Sequence, residues 1–169
     1  MGGSLSTNED VRRRFAMHAL DEVSLRLDDR TACGTDVLRE ELGAADVLLL
    51  DDADKVAAGA RVPFADFALG LRALAHDLSV PVVATAGLPF DPPADHGFPP
   101  TLGEIPGAEG TVRVADVVLL LHEESWYMTS EEIALHDSYG EVEISVARNA
   151  HRPLGSARVH RTRRKMWMG

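Results

Sequence analysis

Cysteine is almost missing from this chain: Cys33 stands alone among 169 residues. A lone thiol excludes an intrachain disulfide and favours a reducing compartment, so the expected location is cytoplasmic. Cys33 itself reads as a loop thiol near a helix start. Aromatics are scarce at 5%, and Trp126, Tyr127 and Trp167 read as packing groups, not as a base-stacking platform. No apolar run approaches the roughly 20 residues that a membrane span needs. The opening "MGGSLSTNEDVRRRF" has no apolar stretch ahead of its arginines, so neither a secretory signal nor a membrane partner is expected. Seven histidines are dispersed, with no HExxH and no Cys partner at zinc spacing. There is no GxSxG, so serine-hydrolase chemistry has no support either. His122 ends an apolar segment beside Glu123 and Glu124 and reads as a rim residue.

What remains is a chain that is 45% hydrophobic and 26% charged, the balance of a globular domain. At this length one compact domain, residues 1–169, buries about 70% of its unfolded surface. The net charge of −10 hides an asymmetry. Residues 144–169 hold seven cations (Arg148, Arg152, Arg158, Arg161, Arg163, Arg164 and Lys165) and no acid, leaving ten cations against 27 acids elsewhere. An acidic body disfavours non-specific nucleic-acid binding, which is driven by phosphate neutralisation. The basic tail, 158–169, reads as a solvated, flexible end. Its functional alternative is contact with nucleic acid through Arg158, Arg161, Arg163, Arg164 and Lys165, or with an acidic neighbouring subunit.

Periodicity sets out the elements. Residues 8–23 place Val11, Phe15 and Ala19 at four-residue spacing, an amphipathic helix. "VSLRLDD" alternates Val23, Leu25 and Leu27 against polar neighbours, as a half-buried strand does. "TDVLREELG" (35–43) predicts a short helix with Thr35 as cap and Gly43 as stop. "DVLLLD" (46–51), "VPVVATAG" (80–87) and "ADVVLLLH" (115–122) are apolar on both faces, as in central parallel strands. "PFADFALGLRALAHDLS" (63–79) is a helix with Pro63 in its first turn. The Pro- and Gly-rich segment 88–110 predicts a long loop. "TSEE" (129–132) has capping-box spacing. "YGEVEISVARN" (139–149) and "GSARVHRT" (155–162) predict a terminal hairpin. The expected fold is α/β: a mainly parallel sheet flanked by helices, with the hairpin extending one edge antiparallel.

"ADVLLLDDADKV" (45–56) runs an apolar strand into two aspartates, the arrangement by which a buried strand delivers a carboxylate to magnesium in nucleotide-hydrolysing proteins. From about residue 23 onward, the order of the segments resembles the C-terminal ATPase domain of DnaB-type replicative helicases, which has the RecA-like fold. "LRLDD" resembles that family's aspartate-ended strand and "ADVLLLDDADKV" its Walker B strand. "LGLRALAHDLSVPVVATAGL" is similar to the following helix and strand. "PPTLGEIPGAEGTVRVADVVLLLHEESWY" and "EVEISVARNAHRPLGSARV" are similar to the family's later segment and closing hairpin. "SLSTNEDVRRRF" resembles a segment nearer the start.

The resemblance implies a functional role for Asp51, which matches the Walker B aspartate and is the candidate metal and nucleotide contact. Arg148 falls where the family has a lysine reaching into the neighbouring subunit's site. The other demanding positions depart from the pattern. The Walker A loop, GxxxxGK[ST], whose amides and lysine hold phosphates, has no counterpart in these 169 residues. The position of the catalytic carboxylate is Ser6, which is no general base near neutral pH without a base beside it. Gly87 replaces the glutamine that senses the terminal phosphate. Ala150 replaces an arginine finger, a group worth about 10³–10⁵ in rate. Arg152 lies two positions further along the strand, roughly 7 Å away. The loop "LPFDPPADHGFPP" carries no Lys or Arg where the family tracks single-stranded DNA.

Asp51 with Asp52 as an isolated metal-binding pair is disfavoured, because neighbours on a strand point to opposite faces. The sequence therefore predicts a degenerate, helicase-related ATPase fold with no catalytic residues and no cofactor, with Asp51 a Walker B remnant. Its expected partners are copies of itself or an intact RecA-like ATPase. The alternative is an ATP- and Mg²⁺-dependent DNA helicase subunit whose phosphate loop is supplied elsewhere. A further alternative is a nucleic-acid-binding module using the basic tail.

Overall fold

The computed structural model describes residues 23–43, 45–88, 98–135 and 140–160. The chain divides into two units, Met1–Arg30 and Thr31–Gly169. Within the first, the helix expected over 8–23 lies outside the described residues, apart from Val23.

Residues 24–30 form no strand, contrary to the alternation of "VSLRLDD", and Val23, Leu25 and Leu27 are exposed. Alternating side chains make a strand only where a neighbouring backbone satisfies its amides. A local turn is made instead. Arg30 donates its backbone N–H to Asp28 Oδ1 at 3.1 Å, and its Nε to the same oxygen at 2.9 Å. The side-chain hydrogen bond from Arg30, and then the backbone one, hold the Asp28 carboxyl well below its ordinary 3.8, at about 2.

The second unit is built on a small aliphatic core. Helix α1 (Thr35–Leu42) starts one residue earlier than a Thr35 cap requires: Gly34 is the cap and Thr35 is helical. Gly43, at φ 53°, ends it as expected. Strand β1 (Leu48–Leu50) is followed by α2 (Ala53–Gly59), a helix hidden in the sequence because "DDAD" reads as a polar turn. Helix α3 (Phe64–Leu78) starts after Pro63, whose fixed φ suits a helix entry, and buries Phe67, Leu71 and Leu74. Phe67 is 1% exposed and meets Ala53, Val56, Ala57, Cys33 and Leu71 in the core.

Strand β2 (Val82–Ala84) pairs parallel to β1, Leu48 opposite Val82 and Leu50 opposite Ala84. The segment expected as one long loop contains a capped 3-10 turn (Leu102–Glu104) and the start of helix α4 (Ala108–Val114). The glycines that made it look like a loop are what allow α4 to approach α3. A Cβ on Gly110 would lie 2.6 Å from the Ala65 Cβ, and Gly107 starts the helix at φ 61°. Strand β3 (Val117–His122) follows at once. Helix α5 (Ser130–Leu135) begins at the predicted capping box: Thr129 N–H donates to Glu132 Oε2 at 2.7 Å, and Glu132 N–H to Thr129 Oγ1 at 3.3 Å. The hairpin β4 (Glu141–Asn149) and β5 (Gly155–His160) closes the described chain.

The architecture is mixed α/β, with a parallel pair β1–β2 and an antiparallel sheet ordered β3–β4–β5. Two expectations are corrected. The central strands are not buried on both faces: Leu49 is 68% exposed and Val83 56%, and on β3 only Leu120 is buried while Val117, Leu119 and Leu121 are exposed. Helices α2, α3 and α4 lie on one side only, so each strand buries alternate residues. The sheet is also interrupted: among the described residues β2 does not pair with β3. No described helix is long and apolar enough to cross a membrane.

Two outcomes follow from this packing. Phe67→Ala is expected to cost about 3–5 kcal/mol in urea unfolding, the range for emptying a core aromatic site. The depressed Asp28 value means its stabilising contribution is present above pH 3.8 and lost as pH falls through about 2. Carboxyl ¹³C titration should find that midpoint in the folded protein, and Arg30→Ala should return it to the ordinary aspartate range.

Candidate functional site

The C-terminal ends of β1 and β2 carry the acidic turn Asp51–Asp54, and the fold fixes it through one residue. Thr85, just past β2, donates its backbone N–H to the Leu50 carbonyl at 2.9 Å and accepts the Ala53 N–H on its own carbonyl at 2.8 Å. Its hydroxyl accepts the Asp52 N–H at 2.9 Å and donates to Asp51 Oδ1 at 2.5 Å. Asp52 can make the turn because Asp tolerates the left-handed region, here φ 50° and ψ 45°. That turn drives Ala53, Val56 and Ala57 into the core, where small side chains fit beside Phe67.

The acidic side chains are thus held apart. Asp51 is bound to Thr85. Asp52 Oδ2 accepts from Lys55 Nζ at 2.6 Å, a contact that raises the Lys55 pKa above its ordinary value through that hydrogen bond and then through charge attraction. Asp54 Oδ1 accepts the Gly87 N–H at 3.1 Å. Among the described residues no three His, Cys, Asp or Glu side chains converge as a metal-binding group. Asp51, exposed at the strand end, has one oxygen already engaged. With no phosphate loop in the sequence, these residues do not by themselves make an Mg-nucleotide site.

Gly87 occupies its position without steric compulsion. A Cβ there would meet only Asp54 Oδ2, at an ordinary 3.8 Å. A longer side chain would fit, so the glycine is not forced by the backbone.

Arg148, the candidate for reaching a neighbouring subunit, is half-buried on β4 opposite Val118, and its Nε donates to the Ala115 carbonyl of its own chain at 2.8 Å. Ala150 donates its N–H to the Asp116 carbonyl at 2.8 Å. In the hairpin turn, Asn149 Oδ1 accepts the N–H groups of His151 and Arg152 at 3.0 Å each. Arg158, read as the start of the basic tail, sits in β5 and forms ion pairs with Glu141 at 3.4 Å and Glu143 at 3.8 Å. Arg161, Arg163, Arg164, Lys165 and Ser6 lie outside the described residues. His122 ends β3 with its ring 5.5 Å from that of Tyr127, and its Nδ1 is buried without a hydrogen-bond partner.

Sequence reasoning located Asp51 and missed Thr85. The available signal was a single hydroxyl in the otherwise aliphatic run "VPVVATAG".

No protein-family model and no curated protein matches the sequence. Solved structures do match the fold. The chain is similar to the solved ATPase domain of a DnaB-like helicase, with a TM-score of 0.71 at 15% identity, over 92% of this chain and 57% of that one. It is also similar to a DnaB-like replicative helicase described with its interactions with primase, with a TM-score of 0.68 at 13% identity, over 95% of this chain and 40% of that one. The expected fold is therefore confirmed: this chain has the fold of the DnaB-like, RecA-like helicase ATPase domain, and it spans about half the length of these neighbours.

Thr85→Val removes the hydroxyl but keeps the shape, and should lower the urea midpoint by an amount equivalent to about 1 kcal/mol. Gly87→Gln should leave the midpoint nearly unchanged. An unaffected Thr85→Val protein would show that the clasp contributes nothing to the fold.

Proposed function

We propose that this chain is a non-hydrolysing DnaB/RecA-like, helicase-related domain that acts through protein assembly, either self-associating or docking on an intact ATPase. The observation that carries this reading is the state of the Walker B remnant. Asp51 has one oxygen tied to Thr85, with no Walker A sequence to bring a triphosphate to it and no arginine at position 150. Catalysis of phosphoryl transfer is almost entirely positioning and charge stabilisation, so losing those groups removes the chemistry itself. The scaffold that remains, a helix-covered sheet and a projecting hairpin, is suited to contacts between proteins.

A second reading has its own support. The chain spans 57% and 40% of the two neighbours, so a phosphate-binding segment carried outside these residues would bring Asp51 into an ATPase site. Binding of labelled ATP that appears only with a second polypeptide favours this version. The nucleic-acid reading is weakened at Arg158, whose charge is met by Glu141 and Glu143. It requires salt-sensitive DNA binding that vanishes when residues 161–169 are removed.

The direct test is turnover. Purified protein with Mg-ATP, with and without single-stranded DNA, should release no phosphate above background, and Asp51→Asn should be indistinguishable from wild type. Hydrolysis that Asp51→Asn abolishes would overturn the proposal.

A further inference from the structure

The sheet stops in the middle of the fold. β2 is hydrogen-bonded only to β1, and β3 only to β4, so each has a bare edge among the described residues. The direction of the exposed groups on β2 follows from its ladder. Leu48 N–H donates to the Pro81 carbonyl, and Thr85 N–H to the Leu50 carbonyl. In a parallel pair, alternate residues point both backbone groups to the same side. Val82 and Ala84 therefore turn their N–H and C=O groups away from β1, into the break.

The break is held open by rigid neighbours. Helix α3 packs on both β2 and α4, and α4 runs directly into β3. Arg72 of α3 donates to the Val114 carbonyl and, at 3.1 Å, to Asp116 Oδ1, fastening α3 to the start of β3. On the opposite side of the sheet, Leu49, Val83 and Leu119 are exposed. An open edge flanked by uncovered aliphatic side chains is a template for strand addition.

The geometry points to the edge of β2, beside β3, as the docking site for a β-strand of a second polypeptide, parallel to β2 and apolar on both faces. This deepens the assembly reading by naming its contact. The occupant is sought outside these 169 residues because none of the chain's own remaining segments has that chemistry. Segment 89–97 contains Pro89, Pro92 and Pro93, and proline cannot donate within a central strand. Segment 161–169 is strongly basic, and 1–22 has no run of four apolar residues. "VSLRL" alternates, with Ser24 and Arg26 on its other face. The neighbouring structures, by contrast, contain a large portion with no counterpart here.

Amide hydrogen exchange with a strand-forming probe, the peptide KKTVIVIVTKK, tests this without nucleotide, so its failure is separable from that of the non-hydrolysing reading. At a peptide concentration ten times its Kd, exchange at Val82 and Ala84 should slow roughly tenfold. A peptide N-methylated at alternate residues should give no slowing. Ala84→Pro deletes a donor that β1 does not use, and should abolish the slowing while circular dichroism and Tm are retained. Should that variant fail to fold, the N-methylated peptide decides alone. The proposal is overturned by unchanged exchange, by equal slowing with the N-methylated peptide, or by slowing confined to β5. It is also overturned if Val82 and Ala84 are already protected in the isolated protein, at any concentration (the chain fills its own edge) or only at high concentration (a second copy does).

Discussion

The parallel contact between β1 and β2, locked at its end by Thr85, is the constraint from which the rest of this structure follows. Two three-residue strands make few ladder bonds, and such a pair holds only if its ends are pinned and one face is buried. Thr85 pins it through four hydrogen bonds that tie Leu50, Asp51, Asp52 and Ala53 to the neighbouring strand. Phe67 and the alanines of α2 supply the buried face. The same clasp that completes the fold occupies the carboxylate that a nucleotide-hydrolysing relative would turn towards magnesium. Here, structural need and the loss of chemistry meet in one side chain.

The segments legible in the sequence were those whose signal is local. The helix after Pro63, the capping box of Thr129 and Glu132, the glycine stop at Gly43 and the alternating hairpin each carry their own instructions within a few residues. What was not legible depended on partners. "VVLLLH" is apolar at every position but its last, yet β3 buries only Leu120, because one face has helices and the other has none among the described residues. Composition cannot report which face of a strand is covered. Likewise α4 was hidden by Gly107 and Gly110, which serve its close approach to Ala65 and look like loop punctuation when read alone.

The candidate site divides in the same way. Asp51 was identifiable by its place at the end of an apolar run, but its engagement by Thr85 is a contact across 34 residues of chain. Arg148 looked available to a neighbour, whereas its Nε is satisfied by Ala115 of its own chain. Arg158 looked like part of a solvated tail, whereas it is a strand residue facing Glu141 and Glu143. Surface ion pairs of this kind contribute little to stability, but they reduce the positive field that a phosphate backbone would meet.

If these residues by themselves do not seat a triphosphate, the acidic turn and its clasp must be indifferent to nucleotide. Backbone ¹⁵N–¹H shifts of Asp51–Ala53 and Thr85–Gly87, followed while a non-hydrolysable Mg-ATP analogue is added, report on that turn directly. No saturable movement of these resonances is expected; a saturating shift centred on Asp51, lost in Asp51→Asn, would contradict the non-hydrolysing reading.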